Sequence, residues 1–284
     1  MSARLGAYWR LMRFHRPIGI YLLLWPTLWA LWLAAGGIPG LHVLAVFVFG
    51  TVLMRAAGCV INDFADRDFD PHVARTKDRP IAAGEVKPKE ALLLFAGLCS
   101  TALLITLSLE NTLVLLLAVP AAGLAALYPF TKRWISMPQA VLGLAFSWGI
   151  PMAFAAQTGT VNWAIVLPLM AANLCWVIAY DTFYAMADRA DDLQVGVKSS
   201  AIWFGEYDRL ITAVLQLLSL LLLAWVGREL GPVYFLGLGL ASVAALYQQW
   251  MIRDREPAAC FQAFLHNNWF GAAVFAGMAL ALGW

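Results

Sequence analysis

Apolar residues in this chain recur in runs too long for the interior of a soluble domain. Read between charges, breakers and Gly/Pro clusters, the runs cover Ile18–Ala35, Leu41–Ile61, Ala91–Leu107, Thr112–Tyr128, Pro138–Ala156, Trp163–Tyr180, Leu210–Val226, Val233–Trp250 and Phe264–Gly283. A helix needs about 20 apolar residues to cross the hydrocarbon core of a bilayer. Backbone polar groups in lipid must be satisfied within the segment, so runs of this length fold as helices. The pattern therefore predicts an all-α integral membrane protein of about nine transmembrane helices. Pro26, Pro120, Pro151 and Pro168 fall inside runs, where neighbouring helices can satisfy the groups a proline frees. Composition agrees, since 62% hydrophobic and 13% charged residues lie far from the roughly 45–50% and 25% of globular domains. A soluble domain is excluded. The first run follows Arg4, Arg10, Arg13 and Arg16 without a small-residue cleavage site, so it reads as a retained span rather than a cleaved leader.

A formal charge of +2 leaves no basic excess to attract nucleic acid. The placement of the charges says more. Seventeen of the 19 basic residues lie in the N-terminal segment and in loops 62–90, 129–137, 181–209 and 251–263, whereas the opposing loops hold only Arg228. By the positive-inside rule the N-terminus and the long loops face the cytoplasm and the C-terminus lies outside. Cys59, Cys99, Cys175 and Cys260 are far apart with no ligand spacing and read as buried apolar residues rather than disulfides or metal ligands. His15, His42, His72 and His266 likewise show no ligand spacing and are expected in loops or at the interface. No obligate protein partner is evident.

Eight of the 17 acidic residues fall in two short stretches, each directly after an apolar run: Asp63, Asp66, Asp68 and Asp70, then Asp181, Asp188, Asp191 and Asp192. Asn62, Asp66 and Asp70 are spaced i, i+4, i+8. If the second helix continues through them, they share one face. The same logic stacks Asp181, Tyr184, Asp188 and Asp191 or Asp192. Carboxylates on one stripe repel and need cations, and oxygen ligands without His or Cys select Mg²⁺ over zinc. Mg²⁺ is typically held by one or two carboxylates together with substrate phosphates. Solvated loop charge is the plain alternative, but it fits poorly where charges are scarce, adjoin span ends and keep a four-residue period. Asp66 and Asp188 are offset by 122 residues, a hint of internal duplication.

Basic residues follow each stretch, and Arg75, Lys77, Arg79 and Lys198 would suit an anionic substrate. Arg55 lies inside the second run, seven residues before Asn62, and so faces the same way. At that depth it needs an anion, either an aspartate partner or a substrate carboxylate or diphosphate. Arg16 reads as an interfacial anchor or a further substrate contact.

Asn62-Asp63-x-x-Asp66-x-x-x-Asp70 with Arg75-Thr76-Lys77-Asp78-Arg79-Pro80 resembles the first motif of the UbiA superfamily of intramembrane aromatic prenyltransferases. Tyr180-Asp181-Thr182-x-Tyr184-Ala185-Met186-x-Asp188-Arg189-x-Asp191-Asp192 with Gly196-Val197-Lys198-Ser199-Ser200 resembles the second. Arg16-Pro17-Ile18-Gly19 and Leu24-Trp25-Pro26-Thr27-Leu28-Trp29 look like the branch acting on 4-hydroxybenzoate, so the likeness spans most of the chain. It implies one transmembrane domain over residues 1–284, with a central cavity open to lipid and capped by motif loops 62–90 and 181–209. It also implies Mg²⁺-dependent transfer of a polyprenyl group from its diphosphate to the carbon ortho to the hydroxyl of 4-hydroxybenzoate, in ubiquinone biosynthesis at a bacterial inner membrane. Asn62, Asp66, Asp70, Asp188 and Asp192 would hold the metal, the four aspartates being catalytic. Arg55, Arg75, Lys77, Arg79, Asp181, Tyr184 and Lys198 would bind substrate. Homogentisate, a naphthoate or heme is an alternative acceptor. A cation transporter is the non-enzymatic alternative, but it would need acidic groups along a path near the midplane.

Overall fold

The computed structural model describes residues 3–72, 76–131 and 133–283. Every regular element among them is helical: α1 Ala3–Leu11, α2 Ile18–Ala35, α3 Leu41–Ala65, α4 Pro88–Leu107, α5 Thr112–Thr131, α6 Pro138–Ser147, α7 Gly149–Thr158, α8 Trp163–Val195, α9 Ser200–Phe204, α10 Asp208–Val226, α11 Pro232–Met251 and α12 Pro257–Leu282. The nine expected runs all fall on helices, with α6 and α7 sharing one run. That run breaks at Trp148 because Pro151 has no N–H and its ring opposes the carbonyl four residues back, on Ser147, the last residue of α6. Seven helical stretches are long and apolar enough to cross a membrane; α11 and α12 are long enough but fall outside that set. Gln248, His266 and Asn267 are among the polar residues that set these two apart.

Those polar groups are satisfied inside the bundle, where side-chain hydrogen bonds tie helices together. Gln216 Nε2 on α10 donates to Gln248 Oε1 on α11 at 2.6 Å, and Gln248 Nε2 meets His266 Nδ1 on α12 at 3.3 Å. His266 therefore sits on a helix, partly buried and bonded to the neighbouring one, rather than in a loop. All four cysteines are free; Cys59 and Cys260 are buried, whereas Cys99 and Cys175 are only partly so.

The centre of the bundle is aromatic. Trp176 on α8 stacks on Phe270 of α12, with ring centroids 5.1 Å apart, and lies 5.4 Å from Trp29 of α2. Trp176 Nε1 donates to Asn267 Oδ1 at 2.8 Å, and Trp29 Nε1 donates to the Gly271 carbonyl at 3.2 Å. These two indoles are fully buried. Helices α11 and α12 pack backbone to backbone: a Cβ on Gly237 would lie 2.6 Å from Gly277 Cα. Small residues permit such contact, and in lipid close packing replaces the hydrophobic drive between helices. Leucines such as Leu217, Leu221, Leu236, Leu240 and Leu246 point outward from α10 and α11, as a hydrocarbon solvent requires.

At one end, α1 lies across the first motif loop. Ala7 and Leu11 are buried against a small cluster that includes Val60, Ile81, Val86 and Ala91. Arg4 pairs with Glu90, and Arg10 with Glu85.

Candidate active site

Between the helices lies a cavity of about 1090 Å³ whose wall is apolar along α3, α4 and α5 and charged at the end where α1 and the motif loops meet. Both acidic stretches line it, although they are more than a hundred residues apart in the chain. Asn62, Asp66 and Asp70 come from the first and Asp181, Tyr184, Asp188 and Asp192 from the second. Arg55, Arg79 and Lys198 also line it, as do Arg16 and His15. Lys77 does not: it is exposed on its loop and away from the cavity. Arg75 lies outside the described residues.

The first motif departs from the single helical face that its spacing suggests. Helix α3 stops at Ala65, Asp66 caps it with φ −88° and ψ 3°, and Asp70 opens a short 3₁₀ turn. Two successive i→i+4 bonds nevertheless persist past the helix end, Asp66 N to Asn62 O and Asp70 N to Asp66 O, both 2.9 Å. Asn62 Nδ2 donates to Asp66 Oδ2 at 3.1 Å. The three oxygen-bearing residues therefore still follow one another, on a turn rather than a helix.

Arginines fix this turn. Arg79 Nη1 donates to both oxygens of Asp70, at 3.0 and 2.9 Å, and lies 3.2 Å from Asp63 Oδ1. Arg13, between α1 and α2, donates from Nη2 to both oxygens of Asp63 at 2.9 Å. Burial pushes the Asp70 carboxyl above the usual carboxylate range, and Arg79 opposes that rise. Arg79 itself, though its burial disfavours charge, is held protonated by Asp63 and Asp70. Its expected role in gripping substrate is thus shared with a structural one. Asp63 and Arg13 are absent from the site expected from sequence. Asp63 sits one residue off the four-residue stripe, and Arg13 reaches it across 50 residues of chain, so spacing held no trace of the pair.

The second motif stands on unbroken helix. Helix α8 runs 33 residues, about 50 Å, and carries Asp181, Tyr184, Asp188 and Asp192 down the cavity side, resolving the choice between Asp191 and Asp192. Gly196 ends it with φ 77° and donates its N–H to the Asp192 carbonyl, the left-handed cap at which glycine has no Cβ penalty. Tyr184 packs against Phe261 and Phe264 of α12, at 6.0 and 5.0 Å. Arg189, one residue past Asp188, turns away from the cavity and meets the fully buried Asp208 at 2.5 Å, where Arg255 also arrives at 2.9 Å. Lys198 Nζ donates to the Trp134 carbonyl at 3.1 Å, joining the 129–137 and 181–209 loops.

Deeper in the cavity, Arg55 lies against Gly19 of α2 so closely that a Cβ on that glycine would overlap its guanidinium. Two further polar groups on the wall, the Tyr180 and Ser199 hydroxyls, are buried and have no hydrogen-bond partner among the described residues.

The donor set fits Mg²⁺. The two motifs bring carboxylate and carboxamide oxygens to the mouth, the hard donors that suit this ion. No three His, Cys, Asp or Glu side chains among the described residues gather closely enough to hold a metal ion on their own.

An all-α bundle with an apolar cavity, an oxygen-lined acidic mouth and arginines at its rim defines an intramembrane enzyme for an amphiphilic anion. The chain belongs to the UbiA prenyltransferase family, whose description matches residues 23–272. It is 59% identical over 280 residues to a 4-hydroxybenzoate octaprenyltransferase of Methylococcus capsulatus, covering 98% of this chain and 95% of that one. In fold it is similar to the apo structure of a UbiA homolog from Aeropyrum pernix, with TM-score 0.81, 24% identity and coverage of 92% and 97%. It is also similar to a UbiA homolog from Archaeoglobus fulgidus bound to GPP and Mg²⁺, with TM-score 0.70, 18% identity and coverage of 96% and 99%. The protein is a multi-pass membrane protein.

Proposed function

We propose that this protein transfers a polyprenyl group from polyprenyl diphosphate to the ring carbon ortho to the hydroxyl of 4-hydroxybenzoate, releasing diphosphate, in ubiquinone biosynthesis. The observation that carries the reading is the meeting of both acidic motifs at the charged end of one otherwise apolar cavity. A diphosphate fits that end and a hydrocarbon tail the remainder. The identity of the acceptor is supported by the full-length relatives named for it.

Asn62, Asp66, Asp70, Asp188 and Asp192 would hold Mg²⁺, which when bound neutralises charge on the diphosphate as it leaves. Arg79 and Lys198 add fixed positive charge at the same end. The C–O bond of the donor breaks, diphosphate keeps the electron pair, and the allylic cation is attacked by the ring carbon; that carbon's proton then passes to the released diphosphate, which restores the aromatic ring. Tyr184, Phe261 and Phe264 pack together on the cavity wall, where their rings would stabilise the developing cation, and the apolar wall around the donor's chain disfavours water there. Arg55 receives the acceptor carboxylate with its planar fork. The mouth faces the cytoplasm of a bacterial inner membrane, as the basic loops indicate.

Purified protein supplied with 4-hydroxybenzoate, a series of polyprenyl diphosphates and Mg²⁺ should yield the 3-polyprenyl product, and chelation should abolish it. Product formed only on homogentisate or a naphthoate would overturn the acceptor assignment. A reporter fused after Gly84 should read cytoplasmic and one after Trp284 external; both on one side would overturn the orientation.

A further inference from the structure

The buried, unbonded hydroxyl of Tyr180 is an anomaly. Tyr180 is 1% exposed on α8. Its ring is held edge-on by Trp176 at 5.2 Å and Phe264 at 6.0 Å, so the hydroxyl cannot swing away to find a partner. It lies on the cavity wall, with no hydrogen-bond partner among the described residues. Buried polar groups are rarely left in this state, and each orphan calls for an explanation. Phenylalanine would satisfy the same packing without the cost, so packing does not account for the hydroxyl.

The ionisable groups close enough to act on the hydroxyl are Asp181, Arg55 and Tyr128, and all of them face the same cavity. Arg55 is the one cation among the three, and it is the group that would draw an anion to the hydroxyl. Depth along the helix narrows the choice of anion. Tyr180 precedes Asp188 by eight residues of continuous α8, and Arg55 precedes Asn62 by seven residues of α3, displacements of about 12 and 10 Å along the helices. Both groups lie inward of the metal-binding carboxylates by a similar distance, out of reach of a diphosphate held at the mouth. A carboxylate offers about four lone-pair sites, more than one guanidinium fork fills.

We infer that the Tyr180 hydroxyl donates a hydrogen bond to the acceptor's carboxylate beside Arg55, making Tyr180 an acceptor-binding residue of the site. This rests on the reading of 4-hydroxybenzoate as acceptor. Gly19 belongs to the same device, since its missing side chain is what lets Arg55 lie there.

The test is Tyr180→Phe in the full-length protein in detergent or lipid discs. The KM for 4-hydroxybenzoate should rise about tenfold, while the KM for the donor and the thermal midpoint hold or the midpoint rises. Calorimetric titration with benzoate, which has the carboxylate but no hydroxyl, separates the possible partners. Its affinity should fall by a similar factor, whereas phenol should bind wild type and variant alike. An acceptor KM within twofold of wild type, a loss of phenol affinity with benzoate unchanged, or a lowered thermal midpoint would each overturn the inference. Wild-type protein that binds no benzoate and prenylates no 4-hydroxybenzoate would instead overturn the acceptor reading, and the inference with it.

Discussion

The two acidic motifs share one spacing and are built on different backbones. In the first, the helix stops at Ala65 and the carboxylates continue on a turn; in the second, α8 passes through all of them and ends only at Val195. The difference goes with how each is braced. The first turn is held from within by a chain of alternating charge, Arg13 to Asp63 to Arg79 to Asp70. The second stands on continuous helix along its whole length. Its arginine, Arg189, points outward and fixes the helix to Asp208 at the start of α10. A four-residue period therefore shows which oxygens converge, and leaves open whether helix or ion pairs bring them together.

The largest effect should be common to both motifs. Asp66→Ala and Asp188→Ala should each lower prenyl transfer about a hundredfold or more, because each removes charge that positions the leaving diphosphate and its metal. Thermal midpoints should stay near wild type, and excess Mg²⁺ should rescue only partly. Asp192→Ala should behave alike and Asp191→Ala should not, since only Asp192 lines the cavity. Equal losses at 191 and 192 would break the helical-face account of the second motif.

Next comes bracing. Asp63→Asn leaves Arg13 and Arg79 without their shared partner in a mostly buried place, and should cost about 3–5 kcal/mol of stability. Asp208→Asn should cost less, because Arg255 is 38% exposed and water can take over part of its solvation. Thermal melts in one detergent compare the two directly. A greater loss at Asp208 would mean that the second motif depends on its outer clamp more than the first depends on its internal chain.

How far this was legible in the sequence follows from the same contrast. Apolar run length located every long helix, since the bilayer imposes it. Asn62, Asp66, Asp181, Tyr184 and Asp188 were legible because local helical geometry alone brings them to one side. Asp63, Arg13, Asp208 and the depth partner Tyr180 were not, because their roles depend on which distant segment arrives beside them. Lys77 misled for the complementary reason: it neighbours Arg79 in sequence, but the turn at Thr76–Pro80 sends the two side chains to opposite environments, one exposed and one buried against Asp63 and Asp70. The break at Trp148 is within reach of the sequence through Pro151, although a proline inside a membrane span does not by itself require a break.

Arg55 sharpens the inequality of the halves. Under the 122-residue offset its counterpart is Val177, which is buried in the core, so the first half alone supplies a cation at that depth. Arg55→Ala should raise the acceptor KM about ten- to a hundredfold and leave the donor KM nearly unchanged. Arg55→Lys should recover part of the loss, since an ammonium cannot grip a carboxylate in two places. Gly19→Ala should act in the same direction by displacing the guanidinium, with little change in thermal midpoint because a flexible side-chain end gives way. A donor KM that rises alone in these variants would move Arg55 to the diphosphate.

The smallest expected difference lies between the two loop lysines that follow the motifs. Lys198 lines the cavity and is tied to the Trp134 carbonyl, whereas Lys77 is exposed and away from it. An exposed ammonium acting on an anion through water contributes little, about 0.2–1 kcal/mol, so Lys198→Ala should raise the donor KM about two- to fivefold. Lys77→Ala should stay within twofold. Salt separates attraction from packing here, because a Debye length of about 8 Å at physiological ionic strength shortens to about 3 Å at 1 M. The Lys198 effect should therefore shrink in high salt if its charge guides the diphosphate, and persist if the lysine's main work is to hold the 129–137 loop in place. A Lys77→Ala variant with the larger defect would reverse the placement of the two loops around the mouth.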